Sequence, residues 1–216
     1  MITLDILSDP ICPWCYIGKA HLDRALERRP QHPFQIAWHP FQLNPDMPAE
    51  GMDRRAYLET KFGGKENAVR VYARIAKAAE AAGVTIDFEA MERTPNTIDA
   101  HRLTHWAGLE GRQGMVKDRL FKAYFREGRD IGDRTVLVEI ASAAGMDAAM
   151  VERLLATDAD IEDIRARDAH ARARGVTGVP TFVVANRHVL PGAQPPALWK
   201  QVLDELAGRP PAPGEA

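Results

Sequence analysis

The sequence contains little cysteine and no large excess of charge of one sign. It has two cysteines among 216 residues, too few for a zinc site built from two cysteine pairs. Its 28 lysines and arginines are balanced by 30 aspartates and glutamates, which leaves a formal net charge of −2. A nearly neutral chain offers no basic field to nucleic acid, so no nucleic-acid partner is predicted.

Long apolar segments are also absent. No stretch approaches the roughly 20 apolar residues that a membrane helix needs, so no membrane association is predicted. The opening residues, MITLDIL, lack the positive start, the long apolar run and the small-residue cleavage site of a signal peptide. The expected compartment is therefore the cytoplasm, where two cysteines at this spacing are typically catalytic or metal-binding rather than a structural disulfide.

What the sequence does contain is the composition of a globular protein, with 45% hydrophobic and 27% charged residues. Alternating, β-prone patterns predict strands at 3–8, 34–39, 181–185 and 188–192, the last two joined by a turn at Asn186-Arg187. Apolar spacings of three and four predict helices at 13–28, 54–62, 65–82, 97–110, 113–127, 134–144, 147–156, 158–174 and 195–207. Residues 40–53 are predicted to be irregular, and GRPPAPGEA at the C-terminal end is predicted to fray.

The order of these elements predicts a compact α/β fold with a large helical insertion. Neither end of the chain makes a complete domain, because the first strand–helix–strand unit needs the last two strands and the last helix to cover its sheet. We therefore predict one discontinuous domain, made of residues 1–50 and 175–210. Residues 51–174 are inserted into it as a helical domain that is not expected to fold alone.

Both cysteines lie in the segment SDPICPWCYIGK, residues 8–19. A strand ends just before Cys12, and Pro13 takes the first helical position. Free N–H groups and the positive end of the helix dipole then point at the Cys12 sulfur and favour the thiolate. Cys15 lies one turn further on the same face and is expected to be less exposed. The pair therefore predicts that Cys12 attacks a substrate disulfide and Cys15 resolves the mixed disulfide.

Two other interpretations of the cysteine pair compete with this one. Both residues could be ordinary buried thiols, because free cysteine is among the most buried residue types. A zinc site would need two more ligands, and His101 and His105, four apart on a predicted helix, are the candidates. No further signal accompanies these histidines, so no metal site is predicted.

A second informative segment, Val179-Pro180-Thr181, directly precedes the third predicted strand. The proline could simply open an edge strand. Alternatively it forms a rigid turn with a cis bond, which would turn the N–H and C=O of Val179 outward to pair with an extended substrate. Considered together with the cysteine pair, the second interpretation is favoured.

The run DADIEDIRARDAHARAR, residues 158–174, alternates charges along a predicted helix. Such a run is typical of a solvated helix face. Its arginines are also a candidate for holding an anionic ligand.

Four segments carry a resemblance to a known family: SDPICPWCYIGK, FQLNPDMPAEG, NTIDAHRL and GVTGVPTFVV. Together they resemble the thioredoxin-fold DsbA superfamily and, within it, the cytoplasmic FrnE-like branch, over essentially residues 2–207. The resemblance implies a thioredoxin-like fold with a helical insertion and a dithiol–disulfide oxidoreductase or isomerase. It implies a nucleophilic Cys12, a resolving Cys15 and a cis proline facing them. The substrate-binding residues that it implies are Pro13, Trp14, Val179 and Pro180.

The same branch is related to 2-hydroxychromene-2-carboxylate isomerases and kappa-class glutathione transferases. Those relatives commonly have serine where Cys12 stands and lack a second cysteine, which argues against their activities here. Their glutathione site would correspond to Cys12, Asn44, Val179 and Ala193-Gln194 in this sequence.

Three functions follow from the residues and the resemblance. The first is a cytoplasmic oxidoreductase or isomerase that acts on protein or small-molecule disulfides and thiols without a bound cofactor. The alternative is a glutathione-dependent isomerase or transferase for a small aromatic or polyketide-like substrate, with glutathione as co-substrate. The third is a binding module without enzymatic activity. The sequence leaves open whether the chain acts as a monomer or a homodimer.

Overall fold

The computed structural model describes residues 1–208 of the chain, and most of the predicted C-terminal tail lies outside the described residues. The first strand–helix–strand unit consists of β1 (Ile2–Ser8), α1 (Pro13–Glu27) and β2 (Phe34–Pro40). The chain closes with β5 (Thr181–Val184), β6 (His188–Pro191) and α9 (Pro196–Leu206). Between them lie β3 (Met52–Asp53), α2 (Arg54–Phe62), α3 (Lys65–Ala82), β4 (Arg93–Thr94), α4 (Ile98–Leu109), α5 (Gln113–Phe125), α6 (Arg134–Ala143), α7 (Ala148–Leu155) and α8 (Ile161–Ala173).

The central sheet has four strands in the order β2-β1-β5-β6. Strand β1 is parallel to β2, because α1 crosses over between them, and antiparallel to β5. The β5–β6 hairpin turns one residue earlier than predicted, because Ala185 and Asn186 take the left-handed conformations of the turn. The predicted α/β fold with a large helical insertion is confirmed.

Helices α1 and α9 cover one face of this sheet. The inward side chains of β1 and β5 pack there against Leu22 and Trp199, and they are Leu4, Ile6, Phe182 and Val184. The ring of Trp199 is fully buried and meets Phe182 edge-on, with centroids 4.8 Å apart. On the opposite face, Leu7 packs with Phe41 and with Ala171 of α8. The two faces therefore follow the alternation of each strand.

The predicted helices of the insertion are all present, but the insertion also holds two strands that the sequence pattern missed. Strands β3 and β4 pair antiparallel, with Met52 opposite Thr94 and Asp53 opposite Arg93. Each is two residues long, which is too short for an alternating pattern to emerge. None of the helices described for residues 1–208 is long and apolar enough to cross a membrane.

The insertion packs against the end of the sheet that carries the cysteines. Ile11, Cys12, Cys15 and Tyr16 share one apolar cluster with side chains of α4 to α7. The ring of Tyr16 stacks against Phe121 and Phe125 of α5, with centroids 5.4 and 5.6 Å apart. The division into a discontinuous domain and an inserted helical domain stays a prediction.

Arg102 explains part of the segment NTIDAHRL in structural terms. Its guanidinium is fully buried and donates hydrogen bonds to the backbone carbonyls of Leu154, Thr157 and Ala159, at 2.7, 2.8 and 2.6 Å. It also pairs with Asp99 at 2.7 Å. Arg102 therefore links α4 to the last turn of α7 and to the segment between α7 and α8.

Candidate active site

The cysteine segment forms a turn that leads into α1. The backbone N–H of Cys12 donates to the carbonyl of Asp9 at 3.0 Å. Cys12 is then the extended residue that precedes the helix, Pro13 opens the helix, and the Cys12 carbonyl accepts from Cys15 and Tyr16. This is the predicted placement of the pair, with Cys12 at the positive end of α1.

Both cysteines are free thiols and both are buried, with 3% of Cys12 and 1% of Cys15 exposed. Cys15 is the less exposed of the two, as expected, but the difference is small. Their surroundings separate them instead. Burial raises the pKa of Cys15 well above its ordinary value, and the adjacent Cys12 raises it further. Cys15 is therefore a protonated thiol at neutral pH.

The loop before β5 completes the site. The bond between Val179 and Pro180 is cis, as predicted. The Cys12 thiol lies 3.4 Å from the Val179 carbonyl oxygen, which accepts its hydrogen bond. The Thr181 hydroxyl donates to the carbonyl of Gly178 at 2.8 Å and fixes the loop. The residue before the proline therefore contacts the predicted nucleophile directly.

Gly18 allows α1 to approach the loop and β5 closely. A Cβ at this position would lie 3.1 Å from Pro180 Cγ, 3.3 Å from Phe182 Cζ and 3.4 Å from Ala193 Cα. Such contacts are tighter than a close-packed interior ordinarily accepts. The glycine thus has a packing role, one helical turn beyond the second cysteine.

Beneath the pair lies a group of buried polar side chains whose position beside the cysteines the sequence did not predict. Asp9 is fully buried, and its carboxyl oxygens accept from the backbone N–H groups of Ile11 at 3.5 Å and Leu43 at 2.7 Å. His101 Nε2 lies 3.7 Å from Asp9 Oδ1. Burial lowers the pKa of His101, although the Asp9 carboxylate opposes this effect. His101 is therefore a neutral imidazole at neutral pH.

Lys117 of α5 is the most unusual member of this group. It is 1% exposed, and its ammonium nitrogen lies 5.3 Å from the ring centres of both Trp38 and Phe121. Burial lowers its pKa to about 8, while the neighbouring Cys15, Asp9 and Cys12 groups oppose that shift. The side chain of a lysine in a charged amphipathic helix is normally expected to face solvent. Its position beside Val116 and Leu120 was the signal available in the sequence.

This arrangement assigns different chemistry to the two cysteines. Cys12 has a helix N-terminus behind it and a carbonyl beside it, where a substrate chain would enter. Cys15 is held as a thiol and loses its proton only at a cost. The Lys117 ammonium lowers that cost, because a nearby positive charge favours a thiolate. Such a pair suits a two-step exchange, in which the second thiol is ionised only when required.

The residues predicted for glutathione lie on different elements. Val179 contacts Cys12, and the Gln194 carbonyl oxygen lies 2.9 Å from His21 Nδ1 on α1. Asn44 faces α2, where its Oδ1 accepts from the Tyr57 hydroxyl at 2.9 Å and from Lys61. The Asn44 amide nitrogen is buried without a hydrogen-bond partner.

The structure contradicts the zinc interpretation of the histidines. His101 is buried beside Asp9, whereas the His105 ring nitrogen contacts Arg167 at 3.1 Å. Among the residues described, no three His, Cys, Asp or Glu side chains come together in a way that could hold a metal ion. The two histidines therefore serve different contacts, although both lie on α4.

Comparisons with known proteins agree with this geometry. A family model described as a DSBA-like thioredoxin domain matches residues 3–204. The crystal structure of a probable DsbA oxidoreductase, SCO1869 from Streptomyces coelicolor, is 31% identical with a TM-score of 0.84, and the match covers 98% of this chain and 92% of that one. YwbO from Bacillus subtilis (strain 168), an uncharacterized protein, is 27% identical over 206 residues, which are 94% of this chain and 96% of that protein.

A more distant solved structure shares the fold. It is the cytosolic disulfide reductase DsbM from Pseudomonas aeruginosa with GSH, which is 23% identical with a TM-score of 0.65. The match covers 95% of this chain and 99% of that one. The resemblance inferred from the cysteine and proline segments is thus confirmed, and the chain belongs to the family of DsbA-like thioredoxin domains.

Proposed function

We propose that this protein is a cytoplasmic thiol–disulfide oxidoreductase that exchanges disulfides in proteins or small thiols through Cys12 and Cys15. One observation carries the proposal: the two thiols differ in environment, with Cys12 at a helix start against the Val179 carbonyl and Cys15 buried beside Lys117. An enzyme that needed only one reactive sulfur would gain nothing from the second.

The reaction proceeds in two displacements. The Cys12 thiolate attacks one sulfur of the substrate disulfide, a mixed disulfide forms, and the other substrate sulfur leaves as a thiolate that takes up a proton. Cys15 then gives up its proton and attacks the Cys12 sulfur, which releases the second substrate thiol. The substrate disulfide has been reduced by two electrons, and the Cys12–Cys15 pair has been oxidised to a disulfide.

A second pair of thiols must return the enzyme to its dithiol form. We propose glutathione for this role, two molecules being oxidised to one glutathione disulfide in each cycle. The DsbM structure with GSH supports this choice by fold likeness. The unpartnered Asn44 amide offers a hydrogen-bond donor for a ligand carboxylate, in line with its predicted role. The cytosolic DsbM likewise supports the cytoplasm as the compartment.

The proposal is tested with two single substitutions. Cys12→Ser should abolish the reduction of insulin disulfides by reduced glutathione, because it removes the nucleophile. Cys15→Ser, mixed with insulin in the absence of glutathione, should instead accumulate mixed disulfides, visible by mass spectrometry and on non-reducing gels, because the variant has no second thiol to resolve them. If iodoacetamide labels Cys15 faster than Cys12 in the reduced protein, the assigned roles are reversed.

The glutathione-dependent isomerase or transferase stays a second candidate because of one observation. Both thiols are buried, with 3% and 1% exposed, which suits a small substrate better than a folded protein. Such an enzyme would need one sulfur only. Cys15→Ser would then keep its turnover of a small aromatic substrate with glutathione, whereas the same substitution should slow the reduction of insulin disulfides if the protein is the proposed oxidoreductase.

A further inference from the structure

An open groove of about 1060 Å³ lies on the face of the sheet opposite α1 and α9. Helix α8 packs against β2 on this face, and Val183 of β5 also packs against the cluster that contains Ala171 of α8, whereas most of β6 is exposed. One wall of the groove is α8, the floor is the sheet, and the loop that leads to Pro180 closes one end. The volume reaches the upper limit of ordinary small-molecule pockets, which suits a short stretch of polypeptide.

The floor is built from two cross-strand rows that the register sets side by side. Leu7, Thr181 and Pro191 form one row. Asp5, Val183 and Val189 form the other. Val189 is 59% exposed although it lies in a β-strand beside apolar neighbours. The floor is therefore largely apolar and partly open to water, which favours a ligand with apolar side chains.

The wall adds positive charge. Arg167 lines the groove from α8 and Arg174 from the C-terminal cap of that helix. Asp5 is the sole carboxylate among the described lining residues, and it already pairs with His39 at 2.7 Å. Helix α8 uses Arg165, Arg167 and Arg172 in ion pairs, whereas the exposed Arg174 forms none with the described residues. An arginine without a counter-charge beside an apolar floor favours a ligand carboxylate.

The groove adjoins the cysteine pair. Val179 and Pro180 line it, and the Val179 carbonyl accepts the hydrogen bond of Cys12. Its far side is β6, an edge strand whose outer backbone groups have no neighbouring strand in the described sheet. An extended peptide that pairs with such an edge continues the floor, so that every second side chain points to the groove side of the sheet. A chain lying in the groove would thus run toward the nucleophile.

We propose that this groove binds an extended segment of a disulfide-bearing polypeptide, with apolar side chains on the sheet and an acidic side chain on Arg174. This inference rests on the proposed function and names its substrate class. It places the specificity for charge on Arg174, at the C-terminal cap of α8, and not on the cysteines or the residues assigned to glutathione.

The test uses short peptides with blocked ends and one cysteine, held as a mixed disulfide with the uncharged leaving group 2-thiopyridine. The peptides come in matched pairs that differ in one residue, which is either Glu or Lys. This residue is placed two, three, four or five residues from the cysteine, and its neighbours are apolar. Release of thiopyridone by the reduced protein is followed by absorbance. We expect the Glu peptides to react faster than the Lys peptides, by about fivefold at the best position and less at high salt.

A charge reversal at Arg174 tests whether this residue sets the preference for the Glu peptides. Arg174→Glu should invert the preference, so that the Lys peptide reacts faster than the Glu peptide. The matched control is Arg165→Glu on the opposite side of α8, which changes the net charge equally and should leave the ratio unchanged. The ratio needs no correction for active fraction, and circular dichroism checks that both variants fold.

Three outcomes would overturn the inference while leaving the proposed function intact. The wild-type ratio could stay near one, or it could respond to Arg165→Glu as strongly as to Arg174→Glu. The protein could also sediment as a dimer that Val189→Asp dissociates without changing the ratio, which would make the groove a contact between two copies of this chain. If no disulfide reacts, including uncharged bis(2-hydroxyethyl) disulfide, the proposed function fails. The groove is then tested by fluorescence anisotropy, with peptides that carry serine in place of cysteine.

Discussion

At the residue scale, Lys117 determines the electrostatic surroundings of the cysteine pair. A buried ammonium that forms no ion pair with the described residues is costly, and the nearby Asp9 carboxylate and two aromatic rings offset only part of that cost. The lowered pKa expresses the remainder. A residue that costs stability at rest can still serve the reaction, because the same charge favours the thiolate that Cys15 must form.

Lys117→Met should therefore stabilise the folded protein at pH 7, by about 1–3 kcal/mol. Below pH 8 the wild-type lysine is charged in both states, and the folded state bears the full cost of burial. Between pH 8 and about 10.5 the folded lysine loses its proton while the unfolded one keeps it, so the wild type gains stability as pH rises and the advantage of the variant shrinks. Urea unfolding of the reduced proteins from pH 7 to pH 10 measures this difference.

A control on the same helix separates burial from loss of charge. Lys122 is 45% exposed in its side chain and pairs with Asp118, so Lys122→Met should change stability by less than about 1 kcal/mol at every pH. An advantage of Lys117→Met that stayed constant to pH 10 would contradict the role assigned to the buried charge. Lys117→Met should also accumulate mixed disulfides, because Cys15 ionises less readily without the nearby ammonium.

At the scale of elements, the contact between α1 and the start of β5 fixes the distance between the cysteines and the proline loop. Gly18 lies at this contact, against Pro180 and Phe182. The hydrogen bond from Cys12 to Val179 spans the same contact. Any separation of the helix from the strand therefore also opens the site.

Gly18→Ala should destabilise the protein by about 1–2 kcal/mol, because overpacking by a methyl group outweighs the gain in helix propensity. It should also slow the turnover of peptide disulfides, since Val179 moves away from Cys12. Gly114→Ala on α5 is the matched control: no heavy atom lies within 4 Å of its added Cβ, so stability should stay unchanged or rise by up to about 1 kcal/mol. If thermal unfolding showed equal effects of the two substitutions, the close packing assigned to Gly18 would be wrong.

At the scale of the whole molecule, the sheet and the insertion share their apolar interior. Tyr16 of α1 stacks on two phenylalanines of α5. Gln113 pairs with the backbone of β2, accepting from the Trp38 N–H at 2.7 Å and donating to the Trp38 carbonyl at 2.9 Å. The active-site cysteines belong to the same apolar cluster. Unfolding of either part is therefore expected to expose apolar side chains of the other.

We therefore expect the chain to unfold in a single cooperative transition. Trp106 reports on the insertion and Trp199 on the sheet, so Trp106→Phe and Trp199→Phe variants give fluorescence signals weighted toward different parts. In urea, each variant should unfold with one midpoint that coincides with its own midpoint by circular dichroism. Separate midpoints in the two probes of either variant would show that residues 51–174 unfold independently.

How far the sequence alone could predict this protein differs between its elements. The order of helices and long strands was predictable, because apolar periodicity and turn residues act locally. The two-residue strands β3 and β4 were not, since their pairing joins Met52 to Thr94 across the sequence. The hairpin turn was displaced by one residue for a related reason: cross-strand register, which Asn186 alone does not specify, decides where the loop falls.

By itself, the sequence determined the chemistry of the first helix: a cysteine before Pro13, a second cysteine one turn later and a proline before β5. These features depend on neighbours along the chain, so a pattern of letters suffices to predict them. Only the tertiary structure decided that Asp9, His101 and Lys117 lie under the pair and that Arg174 faces an apolar groove beside it. A lysine or an arginine has the same local preferences in water as in a core, and its surroundings are set by packing between elements that are distant in sequence.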